Sequence, residues 1–123
     1  RLLARQGSFL RSIDAHDIMC MVGHAAVSGG VRRTAMISLF DLDDREMRFC
    51  KNGDFERDNW QRWNANNSVV IPDGGLTQQE YMKLMLDMMD SGRGEPGIFN
   101  RPGALKFRPE RRKEAIFGCN PCG

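Results

Sequence analysis

The sequence contains no apolar run approaching the ~18 residues a membrane-spanning helix requires, so no membrane partner is expected. It has little surplus charge. The 18 basic and 16 acidic side chains are interleaved and leave a formal net charge of +2, which gives no electrostatic case for nucleic acid. It has only four cysteines and two histidines. The cysteine spacing is a poor disulfide framework, and Cys20 and Cys50 fall within expected helices, so a reducing, cytoplasmic setting is expected. Internal repeats, low-complexity tracts, the lysine-bearing phosphate loop and GxGxxG are all absent. The chain opens on RLLARQGSFLR with no initiator Met and no signal peptide, and it stops one residue after Cys122; both ends read as cut from a longer polypeptide.

What is present fits one partial domain over residues 1–123, with 41% apolar and 28% charged residues. Residues 14–27 read as a helix capped by Asp14, with Ile18, Val22 and Ala25 or Ala26 on one stripe. Residues 34–40 (TAMISLF) read as a strand covered on both faces. An acidic-start helix is expected from DLDDREMRFCK, and a polar connector from NGDFERDNWQRW, which carries both tryptophans. Residues 66–71 read as a second buried strand stopped by Pro72. Thr77 and Glu80 make a capping box ahead of Tyr81, Leu84, Met85 and Met88 at i, i+3, i+4 and i+7. A third short strand is expected at 97–100, and at most a helical turn at ERRKEA. Strands alternating with helices indicate an α/β fold, and so few short strands suggest part of a larger sheet or barrel.

Three stretches could carry chemistry. In SGGVRRTA, Gly29 and Gly30 permit close backbone approach while Arg32 and Arg33 could grip a phosphate or stack on a base; a helix end followed by surface arginines is the plainer alternative. In ANNSVVI, the adjacent amides of Asn66 and Asn67 offer several hydrogen-bond groups or simply close a turn. In CNPCG, Cys119 and Cys122 are half a zinc site, a redox pair, or a chance pair in which one sulfur is a positioned reactive thiol. No second ligand pair accompanies them: His16 and His24 read as ordinary residues of the first helix, and no metal is expected.

Taken in order, VSGGVRRTAMISLFDLDD, RWNANNSVVI, GEPGIFNR and GCNPCG resemble the catalytic barrel of ribonucleotide reductases, and most closely the adenosylcobalamin-dependent class II branch. The resemblance extends from about Ile13 to Gly123. It implies part of a ten-stranded α/β barrel with a central finger loop, and a reaction that replaces the ribose 2′-hydroxyl by hydrogen through a thiyl radical.

NPCG matches the finger-loop motif, in which a glutamate normally follows. On that match Cys122 carries the thiyl radical and Asn120 hydrogen-bonds the ribose hydroxyls. The resemblance gives Cys119 no fixed role, and it sets the two reducing cysteines upstream and downstream of these residues. It makes Ser28, Gly29, Gly30, Val31, Arg32, Arg33 and Thr34 the substrate-specificity loop, and it turns Asn66, Asn67 and Ser68 toward the substrate. It further implies adenosylcobalamin bound mainly by other segments, a ribonucleotide substrate, a deoxynucleotide or ATP effector, a thioredoxin-type reductant, and a homodimer in the full-length enzyme. These residues alone should be inactive. A class I reductase segment and a stand-alone nucleotide-binding module are the competing readings.

Overall fold

The computed structural model describes residues 9–28, 34–112 and 118–121. Helix α1 (Ser12–Ser28) leads toward strand β1 (Met36–Phe40). Two short helices follow, α2 (Arg45–Arg48) and α3 (Phe55–Asn59), then a 3₁₀ helix (Trp60–Asn64) running directly into β2 (Ala65–Val70). Helix α4 (Gln78–Ser91), β3 (Gly97–Phe99) and α5 (Arg101–Lys106) complete the order.

The strands form one parallel sheet in the order β1-β2-β3. Each crossover between them contains helix, as parallel pairing requires. Ile37 pairs with Asn66, Leu39 with Ser68, and Ser68 with Gly97. Because strand side chains alternate, Met36, Ser38, Phe40, Ala65, Asn67, Val69 and Ile98 point to one face. Ile37, Leu39, Asn66, Ser68, Val70 and Phe99 point to the other. Helices cover the first face: Phe40 and Val69 join Ile13, Met47, Cys50 and Leu84 in the core, with Leu42, Leu76 and Ile98 packed against it. Val69 and Leu84 are fully buried, each contributing about 1.5–3 kcal/mol relative to an exposed side chain. On the second face Ile37 and Leu39 are only half-buried, so β1 is not covered on both sides as its composition suggested.

Local signals explain the element boundaries. Thr77 and Glu80 cap α4 reciprocally: the Thr77 N–H donates to Glu80 Oε2 at 2.8 Å, and the Glu80 N–H donates to Thr77 Oγ1 at 3.2 Å. Gly92 ends that helix at φ 65°, a left-handed conformation that glycine adopts without steric cost. Asp44 Oδ1 accepts from the Met47 N–H at 3.0 Å and starts α2, which is far shorter than DLDDREMRFCK suggested. Asn100 Oδ1 caps α5, an element the sequence did not announce, by accepting from the Gly103 N–H at 2.9 Å.

Three expectations need correction. Helix α1 begins before Asp14, which lies in its first turn and pairs with Arg11 at 3.0 Å. Its buried stripe is Ile13, His16 and Cys20, while Ile18 and Val22 are exposed. The supposed polar connector is helical; Phe55 is buried and Arg62 is buried with it. Of the ERRKEA stretch, residues 110–112 are described and form a turn, the Arg112 N–H donating to the Pro109 carbonyl at 2.9 Å, and residues 113–115 lie outside the described residues.

Candidate active site

The segment Gly118–Pro121 runs along the second, thinly covered face of the sheet. A Cβ placed on Gly118 would meet Leu39 Cδ1 of β1 at 3.5 Å. Three residues on, the Asn66 side-chain amide donates to the Pro121 carbonyl at 2.9 Å. The segment therefore runs from Leu39, near the carboxyl end of β1, to Asn66, near the amino-terminal end of β2, with Pro121 half-buried and Cys119 and Asn120 exposed. Cys122 itself lies outside the described residues, joined to Pro121.

Of the three β2 side chains expected to share a site, Asn66 and Ser68 lie on the face that carries Pro121, and Asn67 lies on the opposite one. Asn67 is buried, and its amide donates to Cys50 Sγ at 2.6 Å. Strand alternation forces this, since neighbouring residues cannot both face one ligand. Ser68 is also buried. Its Oγ occupies space that glycine leaves on β3, where a Cβ on Gly97 would approach to 2.7 Å.

The residues on either side of the Gly-Arg stretch are described. Helix α1 ends at Ser28. Thr34 Oγ1 donates back to the Gly23 carbonyl at 3.0 Å. Gly29, Gly30, Val31, Arg32 and Arg33 lie outside the described residues. Thr34 stands two residues before Met36, which pairs with Ala65, the neighbour of Asn66. The strand register thus brings the end of this stretch and the Pro121 turn to the same amino-terminal end of the sheet.

Beneath that end lies a buried polar layer on the helix-covered face. The Arg62 guanidinium grips Asp17 with Nε to Oδ1 at 2.6 Å and Nη2 to Oδ2 at 2.7 Å, and its Nη1 donates to the Cys50 carbonyl at 2.6 Å. Lys51 pairs with Glu95 at 2.7 Å and donates to the Ala65 carbonyl at the first residue of β2. His16 Nδ1 lies 2.8 Å from Ser38 Oγ, and its Nε2 lies 3.5 Å from Cys20 Sγ. Burial lowers the His16 pKa to about 4 and pushes the Cys20 and Cys50 thiols up to about 11. These two thiols are therefore held neutral and unreactive. Sequence reasoning passed over this layer. Its one legible trace is the spacing of Ile13, His16 and Cys20, which places two polar residues on the apolar stripe of α1.

A cleft of about 620 Å³ opens at the other end of the sheet, outside the carboxyl ends of β1 and β2, lined by residues including Asp41, Arg48, Asp73 and Arg101. It is remote along the strands from Asn66 and Pro121. Among the described residues no group of three or more His, Cys, Asp or Glu side chains is arranged to hold a metal ion. No described helix is long and apolar enough to cross a membrane.

No family model matches the chain, and no solved structure matches it. Curated proteins do. The chain is 37% identical over 99% of its length to an adenosylcobalamin-dependent ribonucleoside-triphosphate reductase of Lacticaseibacillus paracasei. It is 36% identical over 97% of its length to the enzyme of that name in Lactobacillus delbrueckii subsp. bulgaricus, and 35% identical over 97% to that of Lactobacillus leichmannii. In each case it spans 16% of the relative's own length. Nearly every residue of the chain aligns with one segment of these proteins, and the chain belongs to the family of adenosylcobalamin-dependent ribonucleotide reductases.

Proposed function

We propose that this chain supplies the thiol mount and the specificity loop of a ribonucleotide reductase whose substrate is a ribonucleoside triphosphate. The observation that carries the proposal is the 2.9 Å hydrogen bond from Asn66 to the Pro121 carbonyl, which holds the residue before Cys122 against β2. Cys122, as a thiyl radical, takes the 3′ hydrogen atom of the ribose. The 2′-hydroxyl then leaves as water. A pair of cysteine thiols elsewhere in the polypeptide supplies two electrons and two protons, one proton leaving with the 2′-hydroxyl as water and a hydrogen ending at C2′; the pair is oxidised to a disulfide, and the 3′ hydrogen returns from Cys122. Such chemistry needs a sulfur held within about 3.5 Å of its target and shielded from water.

The other roles follow from position. Asn120 hydrogen-bonds the ribose hydroxyls beside Cys122. Ser28–Thr34 contacts the substrate base and carries the effector's influence through a change of loop conformation. Ser68 lies on the substrate side of β2, while Asn67 belongs to the buried layer behind it. The open edges of β1 and β3 extend into a ten-stranded barrel, the protein working in the cytoplasm as a homodimer with a thioredoxin-type reductant. Adenosylcobalamin, when bound, generates the radical. The described cleft is lined mostly by charged side chains, seven in all, and the residues that would hold the cofactor are assigned to other segments.

The test is Cys122→Ser in a reductase polypeptide carrying this segment, assayed for conversion of ribonucleoside triphosphates with adenosylcobalamin and a dithiol. Reduction should disappear, and the 123-residue chain alone should show none. Turnover that survived the substitution would remove Cys122 from the chemistry.

A further inference from the structure

We infer that Asn66 is a positioning residue for the reactive thiol, and that its side-chain N–H serves the turn rather than the substrate. The inference rests on the reading of Cys122 as the reacting group. The geometry is specific. The Pro121 carbonyl and the residue 122 amide nitrogen belong to one rigid peptide plane. The pyrrolidine ring of Pro121 already fixes φ at that residue. What remains free is rotation about ψ, which swings the carbonyl and, with it, the Cα of Cys122. The Asn66 amide holds that carbonyl at 2.9 Å, so ring and hydrogen bond together fix both backbone dihedrals immediately before the sulfur-bearing residue.

The donor itself is well held. Asn66 lies within β2, in register with Ile37. The preceding carbonyl, that of Ala65, accepts from Lys51, whose ammonium is paired with Glu95. At the other end of the turn Gly118 passes close to β1, where a Cβ in its place would meet Leu39 Cδ1 at 3.5 Å. A side chain here must donate; aspartate has the same shape but presents only acceptors when ionised, and its charge would face the Pro121 carbonyl oxygen.

This ordering gives the test. In a reductase polypeptide carrying the segment, Asn66→Ala should lower kcat by roughly tenfold, the scale of one lost hydrogen bond, with the nucleotide KM within about twofold. Asn66→Asp should lower kcat further. A substrate contact would behave otherwise, because a carboxylate can still accept from a ribose hydroxyl; there Asp would outperform Ala and KM would rise. Without nucleotide or cofactor, hydrogen exchange of the amides at 118–120 should accelerate several-fold in both variants. Exchange in α4 should stay unchanged and so report that the fold is intact. Wild-type exchange at 118–120, or a raised KM with kcat preserved, would overturn the inference. Activity persisting in Cys122→Ser would instead overturn the reading beneath it and leave the exchange result standing.

Discussion

His16 Nδ1 and Ser38 Oγ lie 2.8 Å apart, joining α1 to β1 on either side of the Gly-Arg stretch. The imidazole is buried, which disfavours its charged form. Burial lowers the His16 pKa from 6.5 to about 4, with Arg62 and Lys51 adding to the effect and Asp17 opposing it. The unfolded chain takes up a proton at this histidine below about 6.5, and the folded chain resists until about 4. Stability from His16 is therefore complete above pH 6.5 and is lost as pH falls toward 4, by up to about 3 kcal/mol. Thermal melting between pH 7 and 4 should show this decline. His16→Asn, which keeps a polar group near Ser38 but does not titrate, should have a shallower slope. Parallel slopes in the two proteins would assign the acid sensitivity to other groups.

That histidine also marks how far the sequence could be read. The period of α1 announced a helix, but not which stripe turns inward. Ile18 and Val22 looked like the buried side because they are apolar. The inward side is set instead by tertiary partners, Ser38 for His16 and the core for Ile13, which no local pattern encodes. Capping chemistry was legible at Thr77 and Glu80, whose partners are close in sequence, and β2 and β3 were recognisable from short apolar runs, the first stopped by Pro72. The stretch around Trp60 and Trp63 was misread as a connector because its polar residues find partners far away, Arg62 with Asp17 above all. At the site, motif order pointed to Asn66 and the NPCG turn separately. Their contact spans 55 positions, and only the fold brings them together.

The Asp17–Arg62 pair lends itself to a double-mutant cycle. Arg62 is 11% exposed and Asp17 25% exposed in their side chains. Removing the carboxylate with Asp17→Ala leaves a buried guanidinium with only the Cys50 carbonyl as acceptor among its named contacts, and should cost about 3 kcal/mol. Arg62→Met should cost less, because the remaining carboxylate can reach water. The double variant should be more stable than the sum of the single losses predicts, by at least about 1 kcal/mol in urea unfolding. Additive losses would mean that the pair contributes nothing beyond its separate contacts.

Gly97 offers a test of how tightly the sheet beneath the NPCG turn is packed. A methyl group there would meet Ser68 Oγ at 2.7 Å, but the Asn67 carbonyl only at 3.6 Å and Ser68 Cβ at 3.7 Å. The obstruction is thus one hydroxyl oxygen on a buried side chain rather than backbone. Gly97→Ala should destabilise the protein by about 1–3 kcal/mol, as overpacking does, and should disturb β2 two residues from Asn66. Adding Ser68→Ala removes the oxygen and leaves ordinary van der Waals distances, so the double variant should recover most of the loss in melting temperature. If Ser68→Ala gave no recovery, the strain would have to arise from the β3 backbone itself, and the close fit of Ser68 against Gly97 would not be what sets the spacing between β2 and β3.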